Sequence, residues 1–426
     1  MRLLIKNGFV TDGIGIHTGI RDIYIEGGVI KQIGENLSYQ ADRVIDAEGL
    51  YVFPGFVDAH CHLRDPGYEY KEDIKSGTLS AAYGGFTSVA CMPNTNPVAD
   101  NKAVITYIID KAKKEGVVHV YPIGAITKGQ KGEVLADIGE MKEAGAVAIS
   151  DDGVPVASAS LMRKAIQYAS AFGLTVISHC EDLSLKENGS MNEGYMSTVL
   201  GLPGIPHEAE EVMVAREILL SEGLGIPVHI AHVSTKTSVT LIRDAKKRGV
   251  RITCETCPHY FSLTDEAVRG YNTNAKVNPP LRTEEDRLAI LEGLADDTID
   301  IIATDHAPHH IDEKDVEFNL ASNGISGFET AFGLCSEYLL KTGVLSLERF
   351  VSKIAVNPAR LLRIPKGTLK EGSAADITVC DLKKETIVDV RKFRSKGKNS
   401  PFDGKRLQGA VIYTVVDGNV VVENRE

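Results

Sequence analysis

Between residues 55 and 364 the chain alternates eight times between a short apolar run and an amphipathic stretch, and few folds accept that rhythm. The apolar runs are "FVDAH" (56–60), "TSVACM" (87–92), "VVHVYPIG" (117–124), "AVAIS" (146–150), "LTVISH" (174–179), "PVHIAHV" (227–233), "VRITCET" (250–256) and "IDIIATD" (299–305). They are apolar throughout rather than alternating, which marks parallel strands buried on both faces. Helical patterns such as "DNKAVITYIIDKAKKEG" and "SASLMRKAIQYASAFG" lie between them, closed by the Gly that stops a helix. Eight such units in about 250 residues predict a (β/α)8 barrel, with a doubly wound open sheet as the alternative. No G-x-G-x-x-G follows an early strand, so the usual nucleotide fingerprint is absent.

The two ends of the chain read differently. Residues 1–54 carry short alternating strands broken by Asn-Gly, Asp-Gly and Gly-Gly, which are hairpin signals, and residues 365–426 repeat that style. Together they predict one small β-rich domain assembled from both ends, beside a catalytic barrel over 55–364. The balance of 47 basic against 58 acidic residues gives net −11, which argues against nucleic acid or an anionic membrane as partner. No apolar run reaches the roughly 20 residues of a bilayer span, and "MRLLIKNGFVTDG" does not read as a signal peptide. Seven scattered cysteines do not form a disulfide framework, so a cytoplasmic location is expected. Cys254 and Cys257 form a C-x-x-C with no second pair at zinc-ribbon spacing, and they read as structural.

Chemistry gathers where the strands end. The first runs into His60 and His62, the fourth into Asp151 and Asp152, the fifth into His179, the sixth into His232 and the eighth into Asp305. Active sites of barrels are built at that C-terminal face. Singly, His179 reads as a core histidine and Asp152-Gly153 as a turn. Four imidazoles and two carboxylates at one end of one barrel read as a metal site instead. Imidazole with carboxylate suits Zn2+, with Mn2+, Co2+ or Fe2+ admitted by ligand type. Six ligands exceed one open tetrahedral site and suit two ions sharing a bridging carboxylate. Such a centre lowers the pKa of water and polarises a carbonyl, the chemistry of amide hydrolysis. Asp58 is read as orienting a ligand or as a polar strand end, and His229, facing away from His232, as a core residue.

These motifs in order resemble the amidohydrolase superfamily. Within it "DAHCHLRDPG", "MPNTNP", "ISDDG", "ISHCED", "AHVST", "CPHY", "NPPLR" and "ATDHAPH" resemble the dihydroorotase family of the long, type I class, over residues 2 to 420. The resemblance implies a zinc-dependent, reversible cyclisation of N-carbamoyl-L-aspartate to L-dihydroorotate in pyrimidine synthesis. It implies that His60, His62, Asp152, His179, His232 and Asp305 hold one or two zinc ions, with Asp152 bridging. Asp305 would also be the general acid/base. Arg64, Asn94 and His309 would bind the substrate carboxylate, with His62 beside them, and Asn278, Asn323 and Gly324 would contact the ring amides. Taken alone, Asn278 before two prolines reads as a turn residue.

Many relatives bridge their metals with a carboxylated lysine ending strand four; here Lys142 lies in the preceding helical stretch, as in the Asp-bridged type I branch. Alignment to the family, not spacing, selects Asp152 over Asp151. The resemblance also implies a homodimer and admits docking onto aspartate transcarbamoylase. The long polar segment 306–326 reads as a mobile loop that closes over substrate. Rival readings are a cyclic amidase for hydantoin, dihydrouracil or allantoin, and a silent barrel serving as a scaffold.

Overall fold

The computed structural model describes residues 1–424. Parallel strands Phe56–Cys61, Phe86–Cys91 and His119–Pro122 pair side by side, as do Val176–Ser178, Val228–Ile230, Ile252–Thr256 and Ile301–Ile302. The fourth run, 146–150, joins the two groups without forming a regular strand. Val147 N donates to Pro122 O at 3.1 Å on one side, and Ile177 N donates to Ile149 O at 2.9 Å on the other. The run leaves a left-handed Gly145 and enters the Asp151-Asp152 turn at once, so only its middle is long enough to share a ladder. Closure comes where Asp305 N donates to His60 O at 3.0 Å and His62 N donates to His306 O at 2.8 Å. The open-sheet alternative falls with that closure, and the fold is a (β/α)8 barrel.

Eight helices alternate with these strands: Ile74–Tyr83, Lys102–Glu115, Ile138–Ala144, Ala159–Ala171, Glu208–Leu224, Lys236–Lys247, Glu284–Ala295 and Phe328–Cys335. Their ends follow from side chains. Asn101 Oδ1 accepts from the amides of Ala103 and Val104, Ser158 caps Leu161 N, and Lys102–Glu115 stops at Gly116. That helix buries Val104, Ile105, Ile108 and Ala112, one stripe at helical spacing. Ala59, Ala90, Ala148, Ala231 and Ala303 share one buried cluster with Val57, Ile123, Ile177 and Ile301, and Ala359 and Leu362 of helix Asn357–Leu362 belong to it too.

Beside the barrel stands an eight-stranded sheet. Arg2–Thr11, Thr18–Glu26, Val29–Gly34, Arg43–Asp46 and Tyr51–Pro54 come from one end of the chain, and Ile377–Ile387, Arg406–Val416 and Asn419–Glu423 from the other. The halves meet where Tyr51–Pro54 runs antiparallel to Ile377–Cys380. Gly27-Gly28 and Asp417-Gly418 turn hairpins, each with two residues at positive φ. Asn7-Gly8, expected to do the same, instead forms a bulge inside Arg2–Thr11. Asn7 takes φ +60° while its Nδ2 donates to Asp46 Oδ1 at 3.0 Å, and Gly8 sits where an added Cβ would meet Val52 at 2.4 Å. Among the described residues no helix is long and apolar enough to cross a membrane.

Candidate metal centre

Side chains from five barrel strands converge at one end of the axis. His60 Nε2 lies 3.4 Å from Asp152 Oδ1 and 3.5 Å from Asp305 Oδ1. His62 Nε2 lies 3.1 Å from Asp305 Oδ1 and 3.5 Å from Asp152 Oδ2. His232 Nε2 stands 3.4 Å from Asp152 Oδ1 and 2.8 Å from His179 Nδ1, itself 3.6 Å from Asp152. All six are buried. Asp152 therefore faces all four imidazoles. Asp151 turns the other way, where its Oδ1 accepts from Ile126 N at 2.7 Å and its Oδ2 from the Thr127 hydroxyl. The strand ends bend sharply to deliver these groups: His232 sits at φ +32° and Asp305 at φ +45°, both in the left-handed region that costs a non-glycine residue.

The charge balance of this cluster fits a cation. Among the described residues His60 Nε2, His179 Nε2 and Asp152 Oδ1 are buried without a hydrogen-bond partner, each normally costly. Burial alone would lower His60, but Asp152, Asp305 and Glu255 raise it well above its usual value. His179 is likewise lowered by burial yet lifted to about 9 by Asp152 and Glu181. Carboxylates that pull protons onto buried imidazoles are asking for positive charge, which metal ions satisfy in place of protons. The ligand atoms of His60, His62 and Asp305, and those of His60, Asp152 and His232, form two groups, in each of which all lie within 4.8 Å of one another.

A cavity of about 450 Å3 opens over this centre, lined by His62, Asp152, His179, His232 and Asp305 and also by Arg64, Asn94, Asn278, His309, Asn323 and Gly324. Arg64, at φ +61°, donates through Nε to Pro308 O at 3.3 Å, and its Nη2 lies 3.3 Å from His309 Nε2. Asn94 Oδ1 accepts from His62 Nδ1 at 2.9 Å, tying this wall to the metal cluster. His309 is fixed by Glu313 at Nδ1 and Asn323 O at Nε2. Asn278 Oδ1 is buried and unpartnered, a free acceptor at the cavity wall. Every residue expected from the sequence to touch metal or substrate lines this cavity, except His60, which lies beneath it.

The chain matches the family described as "Dihydro-orotase-like" over residues 49–238. It is 64% identical over 423 residues to the dihydroorotase of Acetivibrio thermocellus, covering 99% of each chain. It is 60% identical to that of Ruminiclostridium cellulolyticum, covering 100% of this chain and 99% of the relative. This chain belongs to the dihydroorotase family. Solved structures of similar fold include the L-hydantoinase (dihydropyrimidinase) of Arthrobacter aurescens, with a TM-score of 0.90 and 29% identity over 100% of this chain and 96% of that one. The D-hydantoinase (dihydropyrimidinase) of a Thermus species has a TM-score of 0.82 and 26% identity over the same shares. The dihydroorotases are thus about twice as similar in sequence as these hydantoinases.

At three residues of this dihydroorotase-family site the structure adds to the sequence reading, and of the two readings of Asp58 it favours the polar strand end. Asp58 touches no ligand ring. Its carboxylate accepts from Thr304 N at 2.9 Å and Thr304 Oγ1 at 2.6 Å, clamping the end of the eighth strand to the first just before Asp305. The ring of His60 is held instead by Glu255, whose Oε1 accepts from Nδ1 at 2.7 Å. Glu255 also reaches His229 Nε2 at 3.2 Å, so His229 is not an idle core residue. The signal for Glu255 was a carboxylate at an inward position of the otherwise buried run "VRITCET". Segment 306–326 is folded down as a wall of the cavity rather than standing open. The seven cysteines are buried and unpaired.

Proposed function

We propose that this chain is a zinc-dependent dihydroorotase, interconverting N-carbamoyl-L-aspartate and L-dihydroorotate. The observation that carries the reading is one cavity that joins the histidine–carboxylate cluster to Arg64, Asn94 and His309. His60, His62, Asp152, His179, His232 and Asp305 would hold the metal, and Asp152, which faces all four imidazoles, would be the carboxylate within reach of them all. Imidazole and carboxylate donors suit zinc, as one or two ions. When bound, these ions lower the pKa of water and polarise the ring carbonyl.

The chain's own residues do the rest. The planar fork of Arg64 receives the ring carboxylate, a geometry a carboxylate matches bidentately. Asn94 and His309 flank it, and Asn278 Oδ1 accepts a ring N–H. Gly324, at φ +144° and packed against Ala307 and His309, lets backbone approach the ring where a side chain has no room. Asp305 lines the cavity and takes a proton from the attacking water, then returns it to the departing ring nitrogen. In the reverse direction the same carboxyl removes that proton as the ring closes. Glu255 keeps the Nδ1 proton on His60, which leaves Nε2 free as a ligand.

The deciding assay is turnover of dihydroorotate by zinc-loaded protein beside dihydrouracil, hydantoin and allantoin. Opening of dihydroorotate alone is expected. Comparable opening of the rings without a carboxylate moves the chain to the broader cyclic amidases, and silence on all four with metal bound makes it a scaffold.

A further inference from the structure

Segment 306–326 leaves the barrel at Asp305 and returns to it, since Ala307 N donates to Ile325 O at 2.8 Å. Between these points it forms a compact loop that presents Asn319, Ala321, Ser322, Asn323 and Gly324 to the catalytic cavity. Two ammonium groups lie inside the loop beside its buried apolar side chains Phe318, Ala321 and Ile325. Lys276 Nζ donates to Phe318 O at 2.7 Å and Asn319 O at 3.0 Å, and it lies 5.3 Å from the centre of the Phe318 ring. Lys314 Nζ donates to Ser322 O at 2.7 Å and Gly324 O at 3.3 Å, and reaches Lys276 O at 3.4 Å. Gly324 N closes the circuit by donating to Lys276 O at 2.9 Å.

Lys276 and Lys314 are only 6% and 2% exposed, and among the described residues neither belongs to a salt bridge within 4.0 Å. A buried ammonium without a carboxylate is expensive. Burial accordingly lowers Lys276 to about 8 and Lys314 to about 7, in the second case helped by Lys276 itself. Apolar packing by Phe318 and Ile325 would hold a structural loop at no such cost. Here the cost is offset by four charge-assisted bonds to loop carbonyls, all within the stretch 318–324 that faces the cavity. Lys276 stands two residues before Asn278, so the same contact ties one substrate-facing segment to the other.

We infer that Lys276 and Lys314 are positioning residues that hold the 306–326 loop as a preformed wall and fix Asn323 and Gly324 against Asn278. The inference rests on the substrate reading above for its kinetic arm and stands without it for its structural arm. Lys276→Met and Lys314→Met keep an unbranched chain one atom shorter and remove the donors. In metal-loaded, substrate-free protein each should speed amide hydrogen exchange of residues 314–324 by about tenfold or more, the loss of one or two charge-assisted bonds. Metal content should be unchanged, KM for dihydroorotate should rise by about tenfold, and kcat should stay within about threefold. Lys276→Gln and Lys314→Gln, which keep a shorter donor, should fall between, and they serve if a methionine variant fails to fold. Unchanged exchange in 314–324 overturns the inference whatever the chain's substrate. Faster exchange with a fall in kcat at constant KM overturns the positioning role alone.

Discussion

Replacing Glu255 by Gln tests whether the charge behind the metal cluster matters, because the change preserves shape. Glu255, His60 and His229 are all fully buried. Burial pushes the Glu255 carboxyl up, but His60 and His229 overcome it and hold it at about 2, so it is an anion at any working pH. As an anion it accepts from both rings, at 2.7 Å and 3.2 Å. Gln has one acceptor. If its oxygen stays on His60, its NH2 meets His229 Nε2, which must then shift its proton to Nδ1, facing Thr253 Oγ1 at 2.8 Å. That rearrangement is available, so the fold should survive. The loss is the negative charge that makes His60 a stronger donor. Removing such a partner weakens metal binding by roughly 10- to 100-fold, about 1.4 to 2.7 kcal/mol. Competition with a chromophoric chelator at fixed pH measures it, and circular dichroism checks the fold. Glu255→Asp, charged but one methylene short, should lose less than Glu255→Gln. Equal affinity in wild type and Glu255→Gln, within about threefold, would refute the reasoning, since among the described residues His60 Nδ1 has no other acceptor at hydrogen-bond distance.

Glu329 accepts from Ser80 Oγ, Arg394 N and Ser395 N, all through Oε1, and burial lifts its carboxyl to about 7. A folded value raised above the unfolded one removes stability as pH climbs from about 4.5 to about 7, so Glu329→Gln should be neutral at pH 4. By pH 8 it should be stabilising, by on the order of 3 kcal/mol or somewhat less for partial exposure, read from urea midpoints at each pH. Arg64→Lys should cut kcat/KM for dihydroorotate by roughly 10- to 100-fold while leaving any turnover of dihydrouracil unreduced, because only the carboxylate fork is lost. Ring closure consumes a proton, so the equilibrium ratio of dihydroorotate to open chain should fall about tenfold per pH unit between pH 6 and 8; a ratio indifferent to pH excludes the reaction. Stripping the metal should lower the melting temperature, and zinc at a thousandfold excess over its Kd should restore about 4 kcal/mol. No change on stripping would mean that the orphaned atoms of His60 and Asp152 are satisfied in some other way.

The barrel was legible because parallel strands covered on both faces leave continuous apolar runs, and because glycines such as Gly116 mark helix stops locally. The converging side chains were legible for the same reason: His60, Asp152, His179, His232 and Asp305 interrupt apolar runs at their ends. What hid was whatever depends on partners distant in sequence. Asn7-Gly8 has turn chemistry, yet Asp46 and Val52 make it a bulge. Asp58 left two readings open, and what decides between them is Thr304, 246 residues on, which takes its carboxylate. Glu255 carried a signal, a charge inside a buried strand, but its target His60 lies 195 residues away. Lys276 had no signal at all, because backbone carbonyls of a loop write nothing into the sequence.

The sheet that draws strands from both chain ends also sets an order of events during synthesis. Tyr51–Pro54 leaves the ribosome more than three hundred residues before its antiparallel partner Ile377–Cys380 exists. Until then that strand presents an unpaired edge, while the buried side chains of Val52 and Phe53 lack part of their cover. The barrel next to it can close first, since its closing strand ends at Ile302. Even after the barrel has closed, that edge therefore stays open until the last fifty residues arrive.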